Sequence, residues 1–322
     1  MQIAILDDYH GVAERYADWT TLGPQAGVQV FRDALPEGVA ARAQALKPFD
    51  VIVAMRERTG FPAELLAELP QLRLLVTTGM RNNAIDLPAC TRQGITVCGA
   101  PGSADAVNAT AELAWALILA LFKRLPEEHD GMRRGLWQTG MPQPLAGKRL
   151  GVVGLGKLGQ AVARVGQAFD MDVVAWSPNL TDERAAEAGV KRVDKRTLFT
   201  TADVASVHLV LSERTRHVID AETLAAMKPT AFLVNTSRSG LVDHEALLDA
   251  LRKGRLAGAG LDVFEVEPLP PTDPLRALDN VVLTPHLGYV SQSNFEAFYR
   301  NALEAVAAWA AGKPVRVLNP AS

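Results

Sequence analysis

Cysteine is almost missing from this chain. Cys90 and Cys98 are the only two, too few for a disulfide framework, and they show none of the close spacings of a metal site. Cys98 lies in the apolar run ITVCGA and reads as core packing. No charge of either sign dominates: 33 Lys and Arg stand against 36 Asp and Glu, a net −3. That excludes the electrostatic footprint of a nucleic-acid or anionic-membrane binder. Long apolar runs are lacking too. The longest, LAWALILALF from Leu113 to Phe122, is bounded by Glu112 and by Lys123 and Arg124. It is about half a membrane span and reads as a buried helix. The chain opens directly on the strand-like QIAIL, without the regions of a secretory signal, and the expectation is a reduced, cytoplasmic, soluble protein with no metal centre.

What the chain does contain is alternation. At 322 residues it is long enough for two domains. Strand-like runs IAIL (3–6), VQVF (28–31), VIVAM (51–55), LRLLVT (72–77) and ITVC (95–98) form a first group. A second group is RLGVVG (149–154), DVVAW (172–176), VASVHL (204–209), AFLVN (231–235), AGAGLD (257–262) and VVLT (281–284). Amphipathic segments separate them, as in parallel α/β sheets, and the runs are continuously apolar, as expected of strands covered on both faces. Helices are expected over Ser103–Lys123 and Ser291–Ala311, the latter stopped by Gly312 and Pro314. The stretch 127–148, punctuated by Gly and Pro, reads as a loop. Two doubly wound sheets facing each other across a cleft, with the boundary helices as hinges, is the simplest architecture.

The run LGVVGLGKLGQAVARVGQAF holds Gly154, Gly156 and Gly159 in a G-x-G-x-x-G pattern, directly after a strand and opening an amphipathic helix. In that context the glycines allow a tight turn, close approach of the backbone to a pyrophosphate, and close helix–strand packing. A dinucleotide is therefore expected. The residue after the next strand, DVVAW, is normally an acid that takes the ribose hydroxyls of NAD; here it is Ser177. The nearest basic pair is Lys191-Arg192. Serine, with Asn179 and Thr181 nearby, can hydrogen-bond either cofactor, so NAD and NADP both stay open.

Three strand ends of the second group carry Arg238 (after AFLVN), Glu267 (in DVFEVEP) and His286 (in TPHLGY). Ligands of open parallel sheets bind outside the carboxyl ends of the strands, which would gather all three near the glycine loop. A guanidinium clamps a carboxylate and polarises a carbonyl. A histidine gives a proton to oxygen as hydride reaches carbon, and a carboxylate beside it favours the imidazolium. His208, His217 and His244 read as ordinary structural histidines.

With these residues in place, the chain resembles the D-isomer-specific 2-hydroxyacid dehydrogenases, the family of phosphoglycerate dehydrogenases and glyoxylate/hydroxypyruvate reductases. The resemblance covers nearly the whole chain, through APGS…NATAELAWALILA, LAGKRLGVVGLGKLG, HLVLSERT, MKPTAFLVNTSRSGLVD, LDVFEVEPLP and TPHLGY in order. It implies an NAD(P)-dependent 2-keto acid reductase, with a flavodoxin-like substrate domain (1–100 and 289–322) and a Rossmann cofactor domain (101–288). It implies Arg238 as substrate clamp, His286 as proton donor and acceptor, and Glu267 as its partner. On the cofactor it implies the amides of Lys157 and Leu158 at the pyrophosphate, Asp262 at the nicotinamide carboxamide, and Thr236 and Gly288 alongside. On the substrate it implies the amides of the turn TTG, with Thr78 and Gly79, and Arg56. A homodimer joined through the cofactor domain is implied as well.

The chain departs from the family pattern at Ser177, at Ser239 and Tyr289 where glycine is common, and at His244 where glutamate is frequent. Glu267 stands where the related formate dehydrogenases carry glutamine, which argues against formate as substrate. Two other expectations compete with the reductase: a dinucleotide-sensing regulator of corepressor type, with little turnover, and an NAD-linked phosphoglycerate-type dehydrogenase, which a missing regulatory domain and phosphate-binding cluster disfavour.

Overall fold

The structure, a computed structural model, describes residues 1–319. The last three residues of the expected substrate domain, 320–322, lie outside the described residues. The chain divides into one unit formed by Met1–Ala106 and the residues from Ser291 onward, and a second formed by Val107–Val290. Both boundaries fall a little later than the sequence pattern suggests. The reason at the first is local: Pro101 O accepts from Asn301 Nδ2 at 2.7 Å and Ser103 N–H donates to Asn294 Oδ1 at 3.0 Å, which keeps this stretch with the first unit.

In the first unit five parallel strands, β1 (Gln2–Ile5), β2 (Gly27–Val30), β3 (Val51–Ala54), β4 (Leu74–Thr78) and β5 (Thr96–Ala100), form a sheet in the order β2-β1-β3-β4-β5. β3 and β4 are buried along their whole length, as strands covered on both faces must be. Leu6, Leu46, Ile52, Leu66, Leu75 and Val97 share its core. The helix Gln292–Ala310, capped by Ser291, packs on β4 and β5.

The second unit holds a sheet of seven strands: β6 (Arg149–Val153), β7 (Asp172–Trp176), β8 (Lys191–Arg192), β9 (Val204–Val207), β10 (Phe232–Asn235), β11 (Gly258–Leu261) and β12 (Val281–Leu283). The order is β12-β11-β10-β9-β6-β7-β8, with parallel pairing throughout. The chain runs outward from β6 to β8, then returns to lay β9 on the other side of β6. The helices leaving β6 and β9 therefore diverge, opening a crevice at the carboxyl ends of these strands. On one face the helix Ala106–Lys123 buries Ala114, Trp115, Leu117, Ile118 and Leu121 with Val152, Val173 and Val234 of the strands. This helix is long and apolar enough to cross a membrane by length and composition alone, but its apolar stripe belongs to the sheet's core. Trp115 Nε1 also donates to Val162 O at 3.2 Å, pinning it to the next helix. The other face is closed by Leu198, Phe199, Leu224, Leu247 and Leu248 over Val153, Ala205 and Leu233.

Two elements differ from the sequence reading. The stretch read as a loop overlaps the helix Leu125–Arg133, which has Pro126 and two acids, Glu127 and Glu128, in its first turn, residues that suit a helix N-terminus. β8 has only two residues, both exposed, so no apolar run marks it. The helix expected from Ser103 starts at Ala106.

Candidate active site

The crevice of the second unit is built around the turn after β6. Gly154 has φ +103°, and a Cβ there would lie 2.8 Å from the backbone of His208 at the end of β9, so only glycine satisfies both the conformation and the space. The helix Lys157–Ala168 then begins, with Gly156 as its N-cap and no side chain bonding its first amides. Gly156 faces open space, and Gly159 is buried beneath the turn. Lys157 is exposed and Leu158 half-buried at the helix start, so the free amides and the helix dipole point into the crevice. Thr236, the residue after β10, is buried, and its Oγ1 has no hydrogen-bond partner. Ser177 stands half-buried after β7. A buried hydroxyl without an acceptor and an uncapped helix N-terminus beside an open glycine fit the polar groups and diphosphate of a dinucleotide. From β11 to β7 the strand ends span roughly 19 Å at ordinary strand spacing, room for such a ligand laid along the edge.

Arg238, Glu267 and His286 follow β10, β11 and β12, three adjacent strands. His286 Nδ1 lies 2.5 Å from Glu267 Oε2, and Glu267 Oε1 accepts the Phe264 N–H at 2.9 Å. Burial pushes the Glu267 carboxyl up. The hydrogen bond and charge of His286, the Phe264 amide and the charge of Arg238 outweigh it and hold the group below its ordinary value. An ionised Glu267 only accepts, so Nδ1 carries the proton and Nε2 is the ring atom left for a reacting group. His286 has φ +53°, the left-handed region that costs a non-glycine residue about 1–2 kcal/mol. Its ring also meets Tyr289 edge-on, with centroids 5.3 Å apart. Arg238 Nη1 donates to Ser237 O at 2.8 Å, and its carbonyl accepts from Asn235 Nδ2 at 2.9 Å, which shapes the turn after β10.

Asp262 and Gly288 shape the loop that carries His286. Asp262 is sealed from solvent. Its Oδ1 accepts from Thr284 Oγ1 at 2.6 Å and Leu287 N at 2.7 Å, and its Oδ2 from Gly288 N at 2.9 Å. Burial pushes its carboxyl above the ordinary range against the pull of these bonds. Gly288 is itself buried, its carbonyl accepting from Thr110 Oγ1 at 2.5 Å. Asp262 thus holds His286 in its strained conformation from both sides.

In the first unit Arg56, Thr78 and Gly79 come together at the carboxyl ends of β3 and β4. Arg56 has φ +52°. Its N–H donates to Thr78 Oγ1 at 2.8 Å, its Nη1 points at Thr78 O at 3.4 Å, and its Nε lies 3.6 Å from Glu57. The guanidinium occupies the space a Cβ on Gly79 would take, and Gly79 has φ +91°. One expectation changes here: the Gly79 N–H is spent on Ala100 O at 2.5 Å; Thr78 is fully buried.

Sequence reasoning passed over three residues. Asn82 ties Arg56 O to Thr77 Oγ1 through its Nδ2, at 2.7 and 2.9 Å; nothing in its neighbourhood RNNA signals this. His208, read as structural, directly follows β9 beside Gly154. Its Nε2 lies 2.8 Å from Ser206 Oγ, and its Nδ1 is buried without a partner. Desolvation pushes its pKa down to about 3, so the ring is neutral; its place after a strand at the switch point was the available signal. Arg214 reaches Asn179 in the turn after Ser177 from a loop distant in sequence. Among the described residues no cluster of His, Cys, Asp and Glu has the arrangement of a metal site.

This arrangement is matched elsewhere. Residues 115–288 match the family model for the NAD-binding domain of the D-isomer-specific 2-hydroxyacid dehydrogenases. The glyoxylate reductase of Aeropyrum pernix is 40% identical over 266 residues, 80% of this chain and 79% of that protein. The D-3-phosphoglycerate dehydrogenase of Synechocystis is 36% identical over 271 residues, 82% of this chain but only 48% of that longer protein. The crystal structure of a phosphoglycerate oxidoreductase from Vibrio cholerae superposes with a TM-score of 0.90 at 39% identity, covering 97% of this chain and 99% of that one. With a matching domain model and relatives spanning most of its length, the chain belongs to the D-isomer-specific 2-hydroxyacid dehydrogenase family.

Proposed function

We propose that the protein is an NAD(P)-dependent oxidoreductase that interconverts small 2-keto acids and D-2-hydroxy acids. The observation that carries this reading is the Glu267–His286 pair, Nδ1 to Oε2 at 2.5 Å, beside the strand that bears Arg238. The amides of Lys157, Leu158 and Gly159 hold the diphosphate, and Thr236 Oγ1 bonds the same ligand. When bound, the reduced dinucleotide supplies the hydride that reaches C2 of the keto acid. Arg238 clamps the substrate carboxylate and polarises the adjacent carbonyl. His286 Nε2 gives its proton to the carbonyl oxygen as the C=O π bond opens, and takes it back in the oxidising direction. Glu267 accepts Nδ1–H throughout, stabilising the imidazolium and keeping Nε2 turned outward.

Five large apolar side chains between Leu125 and Met141 are exposed: Leu125, Met132, Leu136, Trp137 and Met141. A surface of that kind supports association of two copies. Cys90 and Cys98, both buried and free, suit the reducing cytoplasm.

The test is to follow absorbance of the reduced nicotinamide with purified protein, either cofactor, and glyoxylate, hydroxypyruvate and bulkier 2-keto acids. Turnover should fall by about 10²–10⁴-fold in His286→Gln, and comparably in Arg238→Ala. Binding of the dinucleotide without turnover of any keto acid would overturn the reading in favour of a sensor.

A further inference from the structure

We infer that the cofactor site selects the phosphorylated dinucleotide, NADP(H), and that Arg214 is the residue that reads its 2′-phosphate. This rests on the dinucleotide reading above and makes it more specific.

β7 ends at Trp176, and the chain turns through Ser177–Leu180, closed by the Leu180 N–H on Ser177 O at 3.2 Å. In a nucleotide-binding βαβ unit this turn faces the adenosine ribose. An acid there accepts from the ribose hydroxyls and repels a phosphate, whereas a nearby arginine accommodates it. Ser177 has neither the charge nor the bulk to exclude a phosphate. The missing cation is supplied from the loop after β9, the next strand but one along the sheet edge. Arg214 Nη2 points at Asn179 Oδ1 at 3.4 Å, which brings a guanidinium to the turn. That contact is long and exposed and engages one of five donors, so the planar fork keeps the donors it needs for a phosphate oxygen pair.

The surrounding charges are mixed. β8 lies parallel to β7, with Lys191 beside Val174 and Arg192 beside Ala175. Two acids, Asp182 and Glu183, open the following helix. Asp182 faces Arg192 Nη1 at 3.5 Å, and Glu183 is engaged by Thr181. Four cations, Arg184, Lys191, Arg192 and Arg214, stand in these elements beside four acids, Asp182, Glu183, Glu187 and Glu213, so the guanidinium at the turn itself is what would meet the charge of about −1.5 to −2 on a monoester phosphate.

The test needs no turnover. Adenosine 2′,5′-bisphosphate and AMP, which differ only in the 2′-phosphate, are titrated calorimetrically into the full chain at low ionic strength. The bisphosphate should bind at least about tenfold more tightly, the worth of a charge-assisted contact, and the ratio should shrink as salt is raised. In Arg214→Ala the bisphosphate should lose that advantage, Arg214→Lys should keep part of it, and Ser177→Asp should favour AMP. Equal affinities in the unaltered protein, or a preference that survives Arg214→Ala, would overturn the inference while leaving the dinucleotide reading intact. Binding of neither nucleotide would overturn both.

Discussion

His286 and Glu267 leave the ends of different strands, β12 and β11, and meet with Nδ1 2.5 Å from Oε2. The pair is partly open to solvent, yet the glutamate is held below its ordinary pKa, because the partner histidine and the Phe264 amide outweigh burial. The carboxylate is thus built to stay ionised while the ring beside it exchanges protons.

Replacing Glu267 by Gln keeps a hydrogen-bond acceptor and removes the charge. The imidazolium loses its counter-charge, so kcat should fall by about 10–100-fold. Stability follows the same charge. Because the folded pKa of Glu267 is depressed, its contribution is present above the ordinary carboxylate range and is lost as pH falls through the folded value. Urea denaturation at neutral and acid pH should show a gap between wild type and Glu267→Gln that closes on acidification.

Asp262 offers a sharper discrimination. If its work is to hold residues 284–288, Asp262→Ala should lower kcat strongly and destabilise the fold by about 2–4 kcal/mol, since buried donors on Leu287 and Gly288 lose their acceptor. Dinucleotide affinity, measured by calorimetry, should change by only a few-fold. A loss of affinity as large as the loss of kcat would place Asp262 at the cofactor.

Much of this was legible in the sequence, for physical reasons. AFLVN, VIVAM and VASVH are strands buried on both faces, and burial on both faces leaves an unbroken apolar run. The residues following such runs were then fixed at the carboxyl edge, which is how Arg238 and His286 could be found without coordinates. What was not legible depended on contacts between distant residues. Lys191 and Arg192 form an edge strand with no apolar signature. The helix Leu125–Arg133 is polar along most of its length and interrupted by Gly131, so its pattern resembled a loop. The Gly79 amide looks available until β5 is placed beside it and Ala100 takes its proton. Arg214 and Asn179 are joined only once the loops after β9 and β7 share an edge.

The exposed stretch Leu125–Met141 gives a prediction about assembly. Trp137 is 74% exposed and Met141 87%, and burying side chains of this size is worth about 1.5–3 kcal/mol each. Light scattering coupled to size exclusion should report a dimer for the wild type. Trp137→Asp combined with Met141→Asp should shift it toward monomer, because two charges would then have to be desolvated at the contact. A wild type that runs as a monomer at micromolar concentration would remove this surface as a dimer interface.

His208 sets the last prediction. Desolvation of its ring lowers its pKa to about 3, whereas in the unfolded chain it titrates near its ordinary value of about 6.5. A histidine whose folded pKa is depressed is neutral in both states at higher pH. Below about 6.5 the unfolded chain takes up a proton that the folded protein refuses, and the folded state loses stability by up to about 1.4 kcal/mol per pH unit until the folded value is reached. His208→Asn has no such proton. The difference in unfolding free energy between wild type and variant should therefore be constant above pH of about 7. It should then move against the wild type as the pH is lowered toward the folded value. A difference that stays flat over that range would mean that the ring is solvated enough to charge in place.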